Sequence, residues 1–347
     1  MSAGRYLSAS FVWVAALSAA VSAAPSPTPI TAQLVDAARH EGKVVFYTSL
    51  ERQTAEKIGK AFEAAYPDIS VQVERNGCER LFERLAAERG SNIRVADAIE
   101  CSDMTALFHW KGQGWLAPFV PVEVAEKWPA DQRDSDGYFA TERFTLSPIS
   151  YNTKLVKAED APKSYADLLD KKWTGKIVKA HPGYSGTIET VTFELSRDLG
   201  WDYLKKLGQQ RVMQVQAAWE PPKKVAQGER PIGADGDEYS VLQIRDRGGA
   251  IEPVYPSEGT PSIPGGAGII VDAPHPNAAR LFISWLLSRA GQQLLVDADW
   301  LRSFHPDVKL KAGMKPLSEI RILKADPAAQ EKAADEIKKK YAECFGL

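Results

Sequence analysis

The chain has 347 residues, with 44% hydrophobic and 25% charged side chains and a formal net charge of −2. That is the composition of a soluble globular chain long enough for two domains. The near-neutral balance, with no basic patch, argues against nucleic acid or an anionic membrane as partner. Three cysteines are too few for a disulfide scaffold, so a hydrophobic core must hold the fold.

Met1 to Tyr6 carries Arg5 and no acid, Leu7 to Ala20 is apolar, and Val21-Ser22-Ala23 supplies small residues. This order reads as a secretory signal peptide over residues 1–24, cleaved near Ala23 or Ala24. Its apolar stretch is shorter than the roughly 20 residues a membrane-spanning helix needs, and no cysteine follows it for a lipid anchor. Export is therefore expected. Thr31 to Glu41 follows as a short helix. Lys43-Val44-Val45-Phe46-Tyr47 is a continuous apolar run, suited to a strand covered on both faces, and ends at Thr48-Ser49. A helix carrying Ile58, Ala61, Phe62 and Ala65 stops at Pro67. The strand Ile69 to Val73 ends at Arg75-Asn76-Gly77, the helix Cys78 to Arg89 comes next, and the strand Ala96 to Ile99 ends at Cys101-Ser102-Asp103. Such alternation predicts an α/β domain with a mainly parallel sheet.

The second half repeats the scheme. Phe144 to Tyr151 is expected to be extended. The strand Lys176 to Ala180 leads through His181-Pro182-Gly183-Tyr184-Ser185-Gly186-Thr187 into a helix to about Leu199. Strands are expected at Val212 to Ala217, ending at Trp219-Glu220, and at Pro231 to Ala234, ending at Asp235-Gly236-Asp237. Tyr239 to Arg247 reads as a helix, Ile251 to Tyr255 and Gly268 to Val271 as strands, Pro276 to Leu295 as one long amphipathic helix, and Asp326 to Phe345 as the last. In open α/β sheets the ligand sits outside the carboxyl ends of the strands. The residues at those ends are thus candidate ligand contacts: Thr48, Ser49, Asn76, Cys78, Ser102, Asp103, Ser185, Gly186, Thr187, Trp219, Asp237 and Tyr239. Ser185-Gly186-Thr187 opens a helix, whose free N–H groups suit an anion; the same residues also read as a simple N-cap. Trp219 could stack on a ligand or pack in the core, and Arg75 could clamp an acid group. The chain has five histidines and neither a Gly-x-Ser-x-Gly elbow nor a His-Glu-x-x-His pair. No enzymatic activity, no cofactor and no metal site are expected on that ground.

Val44 to Ser49 with Phe62 to Pro67, Ala96 to Ile99 with Gly114 to Pro118, Ile149 to Val156, Val254 to Pro261, and His275 to Ala279 occur together and in order. In this combination the chain resembles the periplasmic substrate-binding proteins of ABC transporters, in their ferric-iron-type branch. The resemblance implies an α/β, two-lobed type II periplasmic binding protein fold. Residues 31–147 plus 265–347 would form the first lobe and 148–264 the second. It also implies a periplasmic monomer that binds a small-molecule ligand and contacts a membrane complex only peripherally, through the ABC transporter permease. Ferric members bind iron through adjacent tyrosines helped by a His and a Glu. At the corresponding positions this chain has Glu238, Tyr239, Glu51 and Ser102, so one phenolate remains. The expected ligand is a small anionic organic solute (a carboxylate, a phosphorylated compound or a phosphonate), with ferric iron or an iron complex as the alternative. In a lobe of this type the first strand separates the second and third, which are then about 10 Å apart. A disulfide needs Cα atoms within roughly 7 Å. A Cys78–Cys101 bond in the exported protein is left open, and Cys344 is expected to be free.

Overall fold

The structure is a computed structural model describing residues 24–347; the expected leader lies, apart from Ala24, outside the described residues. The first half runs α1 (Ala32–Glu41), β1 (Lys43–Thr48), α2 (Arg52–Ala65), β2 (Ser70–Arg75), α3 (Cys78–Gly90), β3 (Ala98–Cys101), α4 (Met104–Gly112), β4 (Leu116–Ala117), α5 (Val122–Lys127) and β5 (Phe139–Leu146). β1 is parallel to β2 on one side and to β3 on the other. Its Val44 and Phe46 join one apolar cluster and its Val45 and Tyr47 another, so the unbroken apolar run reflects burial on both faces. α2 buries Thr54, Ala55, Ile58, Gly59 and Phe62 along one stripe. α1 ends at Gly42, whose φ of 73° lets its N–H bond Ala38.

The second half runs β6 (Ile149–Tyr151), β7 (Ile177–Ala180), α6 (Gly186–Asp198), α7 (Trp201–Gly208), β8 (Met213–Val215), α8 (Glu220–Ala226), β9 (Ile232–Gly233), α9 (Glu238–Asp246) and β10 (Glu252–Val254), and the chain returns as β11 (Ser262–Ile270), α10 (Pro276–Leu286), α11 (Arg289–Asp299) and α12 (Pro327–Phe345). The strands form two sheets: one of order β2-β1-β3-β11-β4 with β5 paired to β11, the other β10-β6-β9-β7-β8. The protein is a two-lobed α/β fold, with a mixed sheet and its own helices in each lobe. Chain crossing occurs at Ser147-Pro148 and again before Ser262, where the Ser147 N–H donates to the Pro261 carbonyl at 3.0 Å.

Local sequence was misleading in several places. The extended run expected from Phe144 to Tyr151 is two strands in two sheets, divided at Pro148, which has no N–H to offer a ladder. The long helix expected from Pro276 to Leu295 is two, because Ser288 turns extended, donates its hydroxyl to the Trp285 carbonyl and caps the Gly291 N–H. β11 begins six residues before the predicted Gly268, and β3 lies two residues beyond its predicted bounds. Trp219 does not end a strand: β8 stops at Val215 and Trp219 precedes α8. The C-terminal helix, grouped by sequence with the first lobe, instead packs along α6 and α7 while also touching α4. Its Tyr341 is buried and donates to Gln214 at 2.8 Å.

Cys78 and Cys101 are bonded, with Cα atoms 5.6 Å apart. The geometry is met because β2 has already ended at Arg75 and Cys78 opens α3, curling over the end of β1 towards β3. Cys344 is free. Intact-mass analysis after alkylation without reductant should therefore find one modified cysteine, Cys344. Replacing Cys78 and Cys101 by Ser should cost about 2–4 kcal/mol in denaturant unfolding. Three modified cysteines in the native protein would contradict the bond.

Candidate functional site

The carboxyl ends of β1, β2 and β3 meet around one buried acid. Glu100, on β3, is fully buried. It accepts hydrogen bonds from the Thr48 hydroxyl at 2.6 Å, from the Ser49 N–H at 2.9 Å and hydroxyl at 3.1 Å, from the Leu50 N–H at 3.2 Å and from Arg143 Nη2 at 3.0 Å. A buried carboxylate is tolerated only when donors surround it in this way. Thr48 is itself fully buried, and its hydroxyl is turned inward rather than to the cleft. Ser49 donates to Glu100 and accepts from the Ser102 N–H at 2.9 Å, stitching two strand ends together. Asn76 donates its N–H to the Thr48 carbonyl, and Ser102 Oγ lies 3.5 Å from the Cys78 sulfur. Cys78 is taken up by its disulfide. Of these expected contacts, Thr48, Ser49 and Cys78 are engaged within the first lobe, and Asn76 and Ser102 are half-buried. Arg75 donates to the Leu50 carbonyl at 3.1 Å, bracing the first loop.

The second lobe contributes three helix starts. Ser185 caps α6, accepting from Ile188, so the N-cap reading of that segment holds alongside any ligand role. A side chain at Gly186 would lie 3.4 Å from the Asp103 Cβ and 3.6 Å from Glu79 Oε1. These are ordinary van der Waals distances, so α6 starts against the first lobe, and Thr187 is half-buried beside it. Asp103 caps α4 through the Thr105 N–H and hydroxyl, at 2.9 and 2.7 Å; burial raises its pKa. Asp237 stands at the N-cap of α9, 4% exposed, without a capping bond from its side chain. Its N–H donates to Ala218, neighbour of Trp219. Trp219 is 44% exposed with Lys223 over its ring, so it belongs to the rim and not to the core. Half-buried Tyr239 completes the group.

Burial pushes the Asp237 carboxyl up to about 7, against the lowering effect of the Tyr239 hydroxyl and the Arg143 guanidinium. Burial also raises Tyr239, reinforced by the negative charges of Asp237 and Glu51. Arg143 is opposed by burial but held above its ordinary value by Glu100 and Glu142, with Tyr239 and Asp237 adding. Beside it, Glu142 has both carboxyl oxygens buried without a hydrogen-bond partner among the described residues. Burial and the Glu100 charge push it up to about 8. Sequence reasoning missed Glu100, Glu142 and Arg143. The available signal was a Glu-Arg pair inside the apolar stretch Phe139 to Leu146, where free charge is not tolerated.

Of the residues at the iron positions, Glu238 is already engaged. Glu238 is fully buried and held by Arg302, Nε to Oε2 at 2.7 Å and Nη2 to Oε1 at 2.8 Å, and by the Tyr255 hydroxyl at 2.5 Å. Its carboxylate is thus occupied by Arg302 and Tyr255. His181 is a turn residue whose Nδ1 accepts from the Gly183 N–H at 2.9 Å.

A family model of bacterial extracellular solute-binding proteins matches residues 47–293. A putative 2-aminoethylphosphonate-binding periplasmic protein of Salmonella typhimurium is 28% identical over 209 residues, 55% of this chain and 61% of the relative. Among solved structures, the periplasmic binding protein AfuA of Actinobacillus pleuropneumoniae, with fructose-6-phosphate bound, superposes with a TM-score of 0.79 at 23% identity, over 88% of this chain and 99% of that one. Iron-bound HitA of Pseudomonas aeruginosa superposes at 0.76 with 21% identity, over the same shares. These likenesses establish the two-lobed fold.

The buried carboxyls set a pH dependence. Glu142 stands at about 8, and Asp237 and Glu189 at about 7, each raised first by burial. In the unfolded chain such groups titrate near pH 4. Between those values the folded protein holds protons that the unfolded chain has lost, so stability falls as pH rises. Calorimetry should show Tm decreasing from pH 5 to pH 8, and Glu142→Gln should flatten that decrease. A Tm that rises over this range would contradict the assignment.

Proposed function

The chain belongs to the bacterial extracellular solute-binding proteins, and on that premise we propose that it is the periplasmic receptor of an ABC importer for a small organic anion. Carboxylates, phosphorylated compounds and phosphonates are the candidate classes. The reading is supported by the start of α6 in the second lobe lying against the start of α4 in the first, and by a buried arginine, Arg143, bonded to Glu100 near the end of β3. Unpaired N–H groups at a helix start and a guanidinium favour an anion without any metal. The Salmonella relative is named for a phosphonate and AfuA carries a sugar phosphate, in keeping with this chemistry. Iron lacks comparable support, since Glu238, which replaces the first tyrosine of the ferric branch, is bound to Arg302. The leader read in residues 1–24 fits a periplasmic location, and the partner in this reading is a membrane permease that receives the loaded monomer.

Native mass spectrometry of the protein purified from its own cells, followed by calorimetry with phosphonates, sugar phosphates, carboxylates and ferric citrate, tests the proposal. Saturable binding of an organic anion is expected, with a smaller radius of gyration in small-angle scattering when bound. Thr187→Val, which removes one hydroxyl at the start of α6, should weaken that binding by about 1–3 kcal/mol. Binding of ferric ion alone would overturn the assignment.

A further inference from the structure

The two lobes meet along two edges of different chemistry. On one edge α9 of the second lobe is fastened to the first. Tyr239 and Leu242 cluster with Val296 of α11, Trp300 and Met314, and Glu238 is bound twice by Arg302. On the other edge the start of α6 lies against the starts of α3 and α4. A Cβ on Gly186 would be 3.4 Å from the Asp103 Cβ, 3.6 Å from Glu79 Oε1 and 3.8 Å from Asp103 Oδ2. Glu189, buried, follows one turn along α6. Helix α12, packed on α6 and α7, also reaches α4, and its Lys338 Nζ is 3.5 Å from Glu189 Oε2. Glu79 and Asp103 enter no ion pair among the described residues. Two carboxyls from the first lobe and one from the second thus come to one edge, with the Lys338 ammonium beside them. Like charges brought together where water is partly excluded repel unless a proton or a cation intervenes.

We propose that this edge is an acid-strengthened latch: the charges of Glu79, Asp103 and Glu189 oppose the seating of α6 on α4, Lys338 offsets them in part, and the α9 edge serves as the pivot. The groups facing Glu189 are Lys338 from α12, Asp103 from the start of α4 and Glu79 from α3. Those facing Asp103 are Thr105 on its own helix, Glu79 and Lys338. Burial pushes Glu189 up to about 7, against Lys338 and with Asp103 and Glu79 adding. Burial likewise raises Asp103, against the Thr105 hydrogen bonds and with Glu79 adding. A carboxyl raised by a contact takes up a proton as the contact forms. The contact is therefore strongest below the ordinary carboxyl range, near pH 4, and weakens as pH rises through about 7. The other edge rests on apolar packing and a bidentate ion pair, so it holds while the latch yields.

Small-angle scattering of the ligand-free protein tests the latch without reference to any solute, so its outcome is independent of the proposed anion receptor. The radius of gyration should be smaller at pH 5 than at pH 8. Glu79 and Lys338 are both exposed, so replacing either leaves the core intact. Glu79→Gln should shrink the radius at pH 8 and Lys338→Gln should enlarge it, with smaller differences at pH 5. Glu189→Gln should flatten the pH response, whereas Glu142→Gln, which removes a buried carboxyl on β5, should preserve it. A radius unchanged between pH 5 and pH 8, or unchanged at pH 8 by either exposed variant, would overturn the latch. A pH response that vanishes in Glu142→Gln would overturn it as well, by placing the switch at β5.

Discussion

A fully buried carboxylate cannot stand without donors, and the Glu100 carboxylate organises the first lobe's half of the cleft for that reason. Its donors come from the turn after β1, from two backbone N–H groups there and from Arg143 on β5. Three strands from distant parts of the chain, β1, β3 and β5, are thereby tied together. Hydroxyls that sequence alone would offer to a ligand are turned into scaffold. The arginine, itself buried, is oriented by the same contact.

A second buried pair joins the lobes. Glu238 opens α9 in the second lobe, while Arg302 exchanges backbone hydrogen bonds with Phe144 of β5 at 2.9 and 3.0 Å. The bidentate contact ties the start of α9 to the hinge strand. Asp237 and Tyr239, on either side of Glu238, are therefore held at the base of the cleft. Breaking such a pair by removing one partner would leave an uncompensated buried charge. The Cys78–Cys101 bond acts on the other wall, drawing the start of α3 over the end of β1.

These constraints explain how closely the lobes approach. Gly186 of α6 lies at van der Waals distance from Asp103 and Glu79 of the first lobe. α12 spans behind, with Lys338 at 3.5 Å from Glu189 of α6. Lobe movement in this fold would be accommodated at Ser147-Pro148 and before Ser262, where the chain crosses between the two sheets.

The alternation of strand and helix was legible in the sequence because it is written in local periodicity: the apolar run of β1, the stripe of α2, the stop at Pro67. Strand ends at Thr48, Asn76, Asp103 and Asp237 could likewise be named in advance, since topology puts them at one edge of a sheet. What each does there could not. Thr48 meets Glu100 from 52 residues away, and Arg143 meets the same Glu100 from 43; no local pattern records such partners. The length of β11 depended on tertiary neighbours as well. Sequence determined which elements form and where a ligand cleft must open, because propensity and burial pattern act over a few residues. Only the tertiary structure decided which polar groups are consumed in holding the cleft and which remain free, because buried charge is settled by whatever distant group comes to lie beside it.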